Sequence, residues 1–223
     1  YRMMDISVKA LAKINVGLDV VRKREDGYHE VRMVMQTIHL FDRLEISKNT
    51  SGEITMETNL SFLPTNENNL VYKAAKLLQD EFAIKDGVHV WLHKYIPVAA
   101  GMAGGSTDAA AVLYGMNQIF DLGLTREELM ERGVKIGADV PYCIMRGTAL
   151  AEGIGEKLSK LPPMVKCPVL IAKPQISVST KFVYENLKLG SDMVHPDIDR
   201  LVADIREKDL YKIEEDMGNF LET

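Results

Sequence analysis

The stretch that most constrains this chain is Pro97-Val98-Ala99-Ala100-Gly101-Met102-Ala103-Gly104-Gly105-Ser106-Thr107, set between the strand-like run Gly87 to Ile96 and the strong helix former Asp108-Ala109-Ala110-Ala111-Val112-Leu113. Strand, glycine loop and helix in succession commit the chain to mixed α and β structure. A helix N-terminus presents unpaired N–H groups and partial positive charge, and small residues let an anion approach the backbone. A polyphosphate suits such a loop, and the Ser106 and Thr107 hydroxyls can donate to phosphate or help hold Mg²⁺. The loop is neither a Walker A motif, since no Lys follows Gly105, nor G-x-G-x-x-G. The competing reading is a glycine-rich turn that only lets the helix pack closely on the strand.

Upstream, Ala10, Ala12, Ile14, Val16, Leu18 and Val20 alternate with Lys13, Asn15 and Asp19, which reads as a half-buried strand over 8–20. Asp26-Gly27 favours a tight reversal and a hairpin. The return from Tyr28 to Ser47 reads as two strands broken near Phe41-Asp42. Asn69 is placed to cap a helix from Leu70 to about Phe82, and Thr125-Arg126-Glu127-Glu128 fits a capping box for a helix reaching about Ile136. Thr148 to Leu161 looks like a short hairpin. Pro162-Pro163 ends regular structure and marks the expected boundary between a lobe at 1–161 and a second at 162–223. That second lobe should open with a strand at Val169-Leu170-Ile171-Ala172 and continue mostly helical from Lys181 to Leu221.

Charge narrows the function. The 223 residues carry 27 Lys+Arg against 32 Asp+Glu, a net charge of −5, so there is no basic excess to hold a nucleic-acid backbone. No run of about 18 residues is continuously apolar, so nothing is expected to span a membrane. The start, Tyr1 to Asp5, lacks the layout of a signal peptide. With only two cysteines, Cys143 and Cys167, a reducing cytoplasm is the expected setting. His89 and His93 share a strand face about 13 Å apart, too far to ligate one ion together. No metal-ligand set emerges, and oligomeric state is not readable.

Single residues carry the remaining chemistry, each with a plainer alternative. Asp139 in Gly137-Ala138-Asp139-Val140-Pro141 can accept the proton an alcohol loses on phosphorylation; it also has the form of a helix N-cap with proline in the first turn. Lys13, on a strand face with Asn15, can neutralise developing phosphoryl charge, or be an ordinary solvated lysine. Tyr28 and His29 can stack on and hydrogen-bond a planar base, or cover a core edge at the hairpin.

Three segments together resemble the GHMP kinases: Ala12-Lys13-Ile14-Asn15 with Asp26-Gly27-Tyr28-His29, Pro97 to Thr107 running into Asp108-Ala109-Ala110, and Gly137-Ala138-Asp139-Val140-Pro141. The resemblance covers about residues 8 to 160 and is weaker beyond. It implies an α+β, two-lobed fold with substrate and ATP in the cleft between lobes. It further implies that Asp139 is the catalytic base, Lys13 its charged partner, and Pro97 to Thr107 the loop for ATP phosphates, with Mg²⁺ assisting. Asn69 and Leu70 would approach the adenine. Tyr28-His29 within this frame points to a cytidyl-diphosphate acceptor, phosphorylated on its 2-hydroxyl in the non-mevalonate route to isoprenoid precursors. Tyr28 and Tyr184 would sandwich the cytosine, His29 would read its polar edge, and Asn15 would join that site. Members of the family run on to a third, glycine-rich Ser-Gly-x-Gly motif, and this chain stops at Thr223 without it, so the second lobe is expected to be incomplete. The rivals are another GHMP kinase of small alcohols and a nucleotide-binding module without catalysis.

Overall fold

The first strand follows from alternation. In the computed structural model, which describes residues 5–187, 189–190 and 193–222, β1 runs Ile6–Lys23 with Val8, Ala10, Ala12, Val16, Leu18 and Val20 buried. The chain reverses where Arg24 N–H donates to the Tyr28 carbonyl (2.7 Å), with Gly27 at φ +86° and the Asp26 carboxylate accepting from Tyr28 N–H. The next strand, β2, is one run from His29 to Asn49, not the two expected. Asp42 breaks nothing because it is fully buried and its carboxylate is satisfied by neighbouring groups in place of a turn. What changes along β2 is the partner. Met33–Gln36 pair antiparallel with β5 (Thr148–Glu152), and Arg43–Asn49 pair antiparallel with β4 (Gly87–His93).

The chain forms two compact units, neither continuous in sequence: residues 1–12, 39–98 and 102–145 make one, and 13–38, 99–101 and 146–223 the other. The sequence boundary at Pro162-Pro163 falls inside the second.

In the first unit β3 (Ile54–Thr58) lies parallel to β4, with β2 and then β1 as successive neighbours. Helix α1 (Leu70–Glu81) forms where Val71, Ala74, Ala75 and Leu78 fall on one buried face behind the Asn69 cap. Helix α2 (Gly104–Ile119) buries Ala109 to Leu113 and Met116. It begins four residues earlier than the alanine run suggests, so Ser106 and Thr107 belong to its first turn. The capping box is present in α3 (Arg126–Val134), and α4 (Val140–Met145) follows.

In the second unit β5 pairs with β2 and with β6 (Lys157–Lys160), the expected hairpin, while β7 (Gly218–Asn219) runs parallel to Gly17–Leu18 of β1. Its core joins Val16, Val34 and Leu161 to Ile198, Leu201 and Ile205 of α6 (Ile198–Glu207) and Ile213 of α7 (Leu210–Asp216). A strand at Val169–Ala172 is not formed. Among the described residues no backbone hydrogen bond reaches these four, and Leu170 is 97% exposed. Apolar residues make a strand only where a neighbour takes up the backbone N–H and C=O groups. The mostly helical character expected from Lys181 to Leu221 is present among the described residues as α5 (Thr180–Asn186), α6, α7 and a 3₁₀ turn at Phe220–Glu222, of which α5 buries no residue. No described helix is long and apolar enough to cross a membrane.

Candidate active site

The glycine loop has an unusual backbone. Ala99, Gly101 and Ala103 take left-handed φ of +54°, +69° and +56°, while the residues between them do not. Alternation of this kind turns successive N–H groups toward one side, a concavity that binds anions. Left-handed geometry at two alanines is disfavoured, so the surrounding structure must enforce it. Ala103 is the N-cap residue of α2 and no side chain caps that helix, which leaves its first N–H groups available to a ligand. Along the loop Val98, Ala99, Gly101 and Gly105 are exposed, Pro97, Ala100, Ala103, Gly104 and Ser106 half-buried, and Met102 and Thr107 buried. A hydroxyl for phosphate is therefore better offered by Ser106 than by Thr107.

Two further sequence candidates adjoin the Gly105 end of this loop within the first unit. Leu70 opens α1, and its Cδ1 stands 3.7 Å from where a Cβ on Gly105 would lie. Asn69 beside it is engaged at both ends: its oxygen accepts from Val71 N–H (2.9 Å) and its nitrogen donates to the Pro64 carbonyl (2.9 Å). Asn69 thus orients Leu70 as the cap of α1, and one of its two amide hydrogens remains for a ligand.

Asp139 immediately precedes α4, and its carbonyl accepts from Cys143 N–H. The cap geometry foreseen for its side chain is absent. Among the described residues the half-buried carboxylate has no hydrogen bond or ion pair, so it is left free for chemistry. Ser106 reaches this segment, its Oγ 3.9 Å from the Cβ position of Gly137.

One cluster beneath the loop escaped sequence reasoning. Lys94 Nζ donates to Asp42 Oδ2 (2.5 Å) and Asp108 Oδ2 (2.9 Å), and all three side chains are at most 4% exposed. Burial pushes the Asp108 carboxyl well above the usual carboxylate range, against the pull of Lys94. Burial also lowers Lys94, but Asp108 and Asp42 outweigh it and hold the ammonium above its ordinary value. The available signal was Asp42 inside an otherwise apolar strand and Lys94 at the end of another.

The second unit holds the remaining candidates. Lys13 is 5% exposed, and its ammonium donates to Asn15 Oδ1 at 3.2 Å. The solvated lysine that alternation suggests is therefore replaced by a buried, oriented one. Tyr28 is 60% exposed on the hairpin. His29 lies against Tyr184 of α5, ring centroids 5.2 Å apart and tilted by 34°. Burial, then the Lys23 charge, lowers the His29 pKa, so its imidazole is neutral near pH 7 and can both donate and accept. The fold thus brings His29 to Tyr184, and Tyr28 stands out in solvent beside them in sequence. Among the described residues no group of three or more His, Cys, Asp or Glu is arranged to hold a metal.

Comparison with known proteins extends this geometry. The family model "GHMP kinases N terminal domain" matches residues 69–147. A "4-diphosphocytidyl-2-C-methyl-D-erythritol kinase" of Lachnoclostridium phytofermentans is 58% identical over 98% of this chain and 75% of its own length. One of the same name from Lachnospira eligens is 57% identical over 99% of this chain and 77% of its length. The chain therefore spans about three quarters of these relatives. Among solved structures, a 4-(cytidine 5'-diphospho)-2C-methyl-D-erythritol kinase superposes with TM-score 0.75 at 30% identity, covering 97% of this chain and 76% of that one. Homoserine kinase from Cytophaga hutchinsonii shares the fold at 18% identity, with TM-score 0.69 over 98% of this chain and 73% of its own.

Proposed function

The chain belongs to the GHMP kinase family, and from that premise we propose that it transfers the γ-phosphoryl group of ATP to the 2-hydroxyl of 4-diphosphocytidyl-2-C-methyl-D-erythritol. The observation that carries the reading is the presence, in the first unit, of the uncapped N-terminus of α2 behind left-handed Ala103 and of the unengaged carboxylate of Asp139. The first is built for phosphate, the second for a proton.

In the proposed reaction the loop from Pro97 to Thr107 holds the phosphates through backbone N–H groups, with Ser106 contributing its hydroxyl. Asp139 accepts the proton of the acceptor hydroxyl as its oxygen bonds to the γ-phosphorus, and the bond to the β-phosphate breaks to release ADP. Lys13, kept in orientation by Asn15, supplies positive charge to the phosphoryl oxygens. Mg²⁺, when bound, neutralises phosphate charge; a hard cation of this kind is held largely by phosphates and water, which fits a chain whose own contribution is the Ser106 hydroxyl. Tyr28, His29 and Tyr184 take the cytosine, the two tyrosines by stacking and neutral His29 by its ring nitrogens.

A coupled ADP-release assay tests the reading. Turnover should require the cytidyl-diphosphate acceptor and Mg²⁺, and should be absent with homoserine or mevalonate. Equal turnover on those alcohols would assign the chain to a different GHMP acceptor, and ATP binding without ADP release would reduce it to a binding module.

A further inference from the structure

The loop leaves and re-enters the fold at one buried ammonium. On the entry side, Lys94 ends the β4 leg, and its own peptide is clamped by Asn59, which accepts from Lys94 N–H (2.8 Å) and donates to the Lys94 carbonyl (3.1 Å). Asp42 Oδ1 takes the next two N–H groups, Tyr95 at 2.5 Å and Ile96 at 2.8 Å, and its Oδ2 takes the Lys94 ammonium. On the exit side, a Cβ on Gly104 would lie 3.0 Å from Lys94 Nζ and 3.3 Å from Ile96 Cγ2. One turn further along α2, Asp108 accepts from the same ammonium with Oδ2, and its Oδ1 is buried without a partner among the described residues.

We propose that Lys94, held between Asp42 and Asp108, is a positioning residue that closes the glycine loop on itself and so sets the N–H groups aimed at the nucleotide phosphates. The inference rests on the reading of that loop as the phosphate site. Lys94 is not a phosphate ligand here: its ammonium is 4% exposed and already committed to two carboxylates. Its work is geometric. The left-handed alanines at 99 and 103 need enforcement from outside the loop, and the only charged groups bridging its two legs among the described residues are these three. A buried network with its members bonded to one another rigidifies what it joins.

The test separates phosphate positioning from general support of the unit by measuring ATP and adenosine affinity side by side. Asp108→Ala removes one tether and should weaken ATP at least about tenfold, the scale of a lost hydrogen bond to a charged group, with adenosine within about twofold of the unaltered chain. Asp108→Asn keeps an oxygen for Lys94 and should recover most of the ATP affinity. Should Asp108→Ala fail to fold, Gly104→Ala makes the same measurement. Its Cβ would press on an ammonium that cannot yield, at a backbone position any residue can adopt, and the same split between ATP and adenosine is expected. A folded variant that binds ATP as tightly as the unaltered chain overturns the proposal, and so does equal weakening of ATP and adenosine. Failure of the functional reading shows elsewhere, in the unaltered chain. ATP binding there without turnover on the cytidyl acceptor removes the acceptor assignment and leaves the loop proposal standing, whereas no ATP binding at all defeats both.

Discussion

Both units carry ion pairs toward solvent, Arg43 with Glu45 and Lys76 with Asp80 in the first, but among the described residues the first also holds a charged cluster with no counterpart in the second. In the first, Asp42, Lys94 and Asp108 are withdrawn from water and bonded to one another under the glycine loop. In the second, most ion pairs lie toward solvent: Arg22 with Glu30, and Arg32 with Glu152 and Asp199. Lys13 is buried there too, hydrogen-bonded to the neutral Asn15 rather than ion-paired. Large apolar residues 60% exposed or more occur in both, Phe62 and Tyr95 in the first unit and Leu170, Ile176, Phe182 and Val194 in the second. A loop pinned from below is set before its ligand arrives, which suits phosphates that must lie in line for transfer. Tyr28 on a hairpin tip and Tyr184 on a helix with no buried residue are suited to adapting around a ring.

The largest expected effect breaks the comparison on the side of the first unit. Asp139→Asn keeps the shape of the side chain and removes the proton acceptor, so turnover should fall by about 10²- to 10⁴-fold while ATP affinity and the circular dichroism spectrum are unchanged. Because the carboxylate caps nothing, folding has no reason to suffer. Turnover close to that of the unaltered chain would leave Asp139 without a catalytic role.

Next comes the core of the second unit. Leu201 is fully buried among Val16, Val34, Ile198 and Ile205, and Leu201→Ala should cost about 2–5 kcal/mol by calorimetry or denaturant unfolding. The comparison also predicts that amides of α5 exchange rapidly while those of α1 and α2 are strongly protected, because α5 buries no side chain. Protection in α5 equal to that in α2 would show that the second unit is as firmly held as the first.

What was legible in the sequence follows the same division. The loop, the α1 cap and the α3 capping box are each made of residues close together in the chain, and local spacing predicted all three. The Asp42–Lys94–Asp108 cluster joins three distant segments, so no local pattern announces it. Alternation alone left Lys13 open between a solvated lysine and a catalytic charge, because it says which face a side chain takes and not what covers that face. Val169–Ala172 failed for the converse reason: its composition suits a strand, but strands are pairwise objects. His29 against Tyr184 spans 155 positions, and only resemblance to a family suggested that they serve one ring.

A smaller effect sharpens the acceptor side. Tyr28 is exposed, so Tyr28→Ala should leave stability nearly unchanged and weaken acceptor binding by about 1–3 kcal/mol, the range of aromatic–base stacking, with the ATP KM unaffected. Equal rises in both KM values would place Tyr28 outside the cytosine site. The neighbouring His29 adds a pH dependence with a defined sign. Burial and then Lys23 disfavour its protonated form, so the neutral ring persists below 6.5, the ordinary imidazole value. Acceptor KM should stay flat as pH falls toward that value and rise only beneath it, and a rise centred above it would contradict the role.

The smallest effect decides how a single residue at the edge of the loop is used. The family resemblance gives Asn69 an adenine contact, while in the structure each end of its amide makes one bond, the oxygen on Val71 N–H and the nitrogen on the Pro64 carbonyl. If its task is to cap α1, Asn69→Ala removes one satisfied helix N–H and should cost about 1 kcal/mol of stability, read as a small drop in Tm. Asn69→Asp keeps the accepting oxygen and should recover most of that loss. Neither substitution should move ATP affinity by more than the slight shift expected when Leu70, which meets the Gly105 turn, is less well fixed. An ATP affinity that drops sharply in both variants, with Tm restored in the Asp form, would mean that the amide itself reads the base.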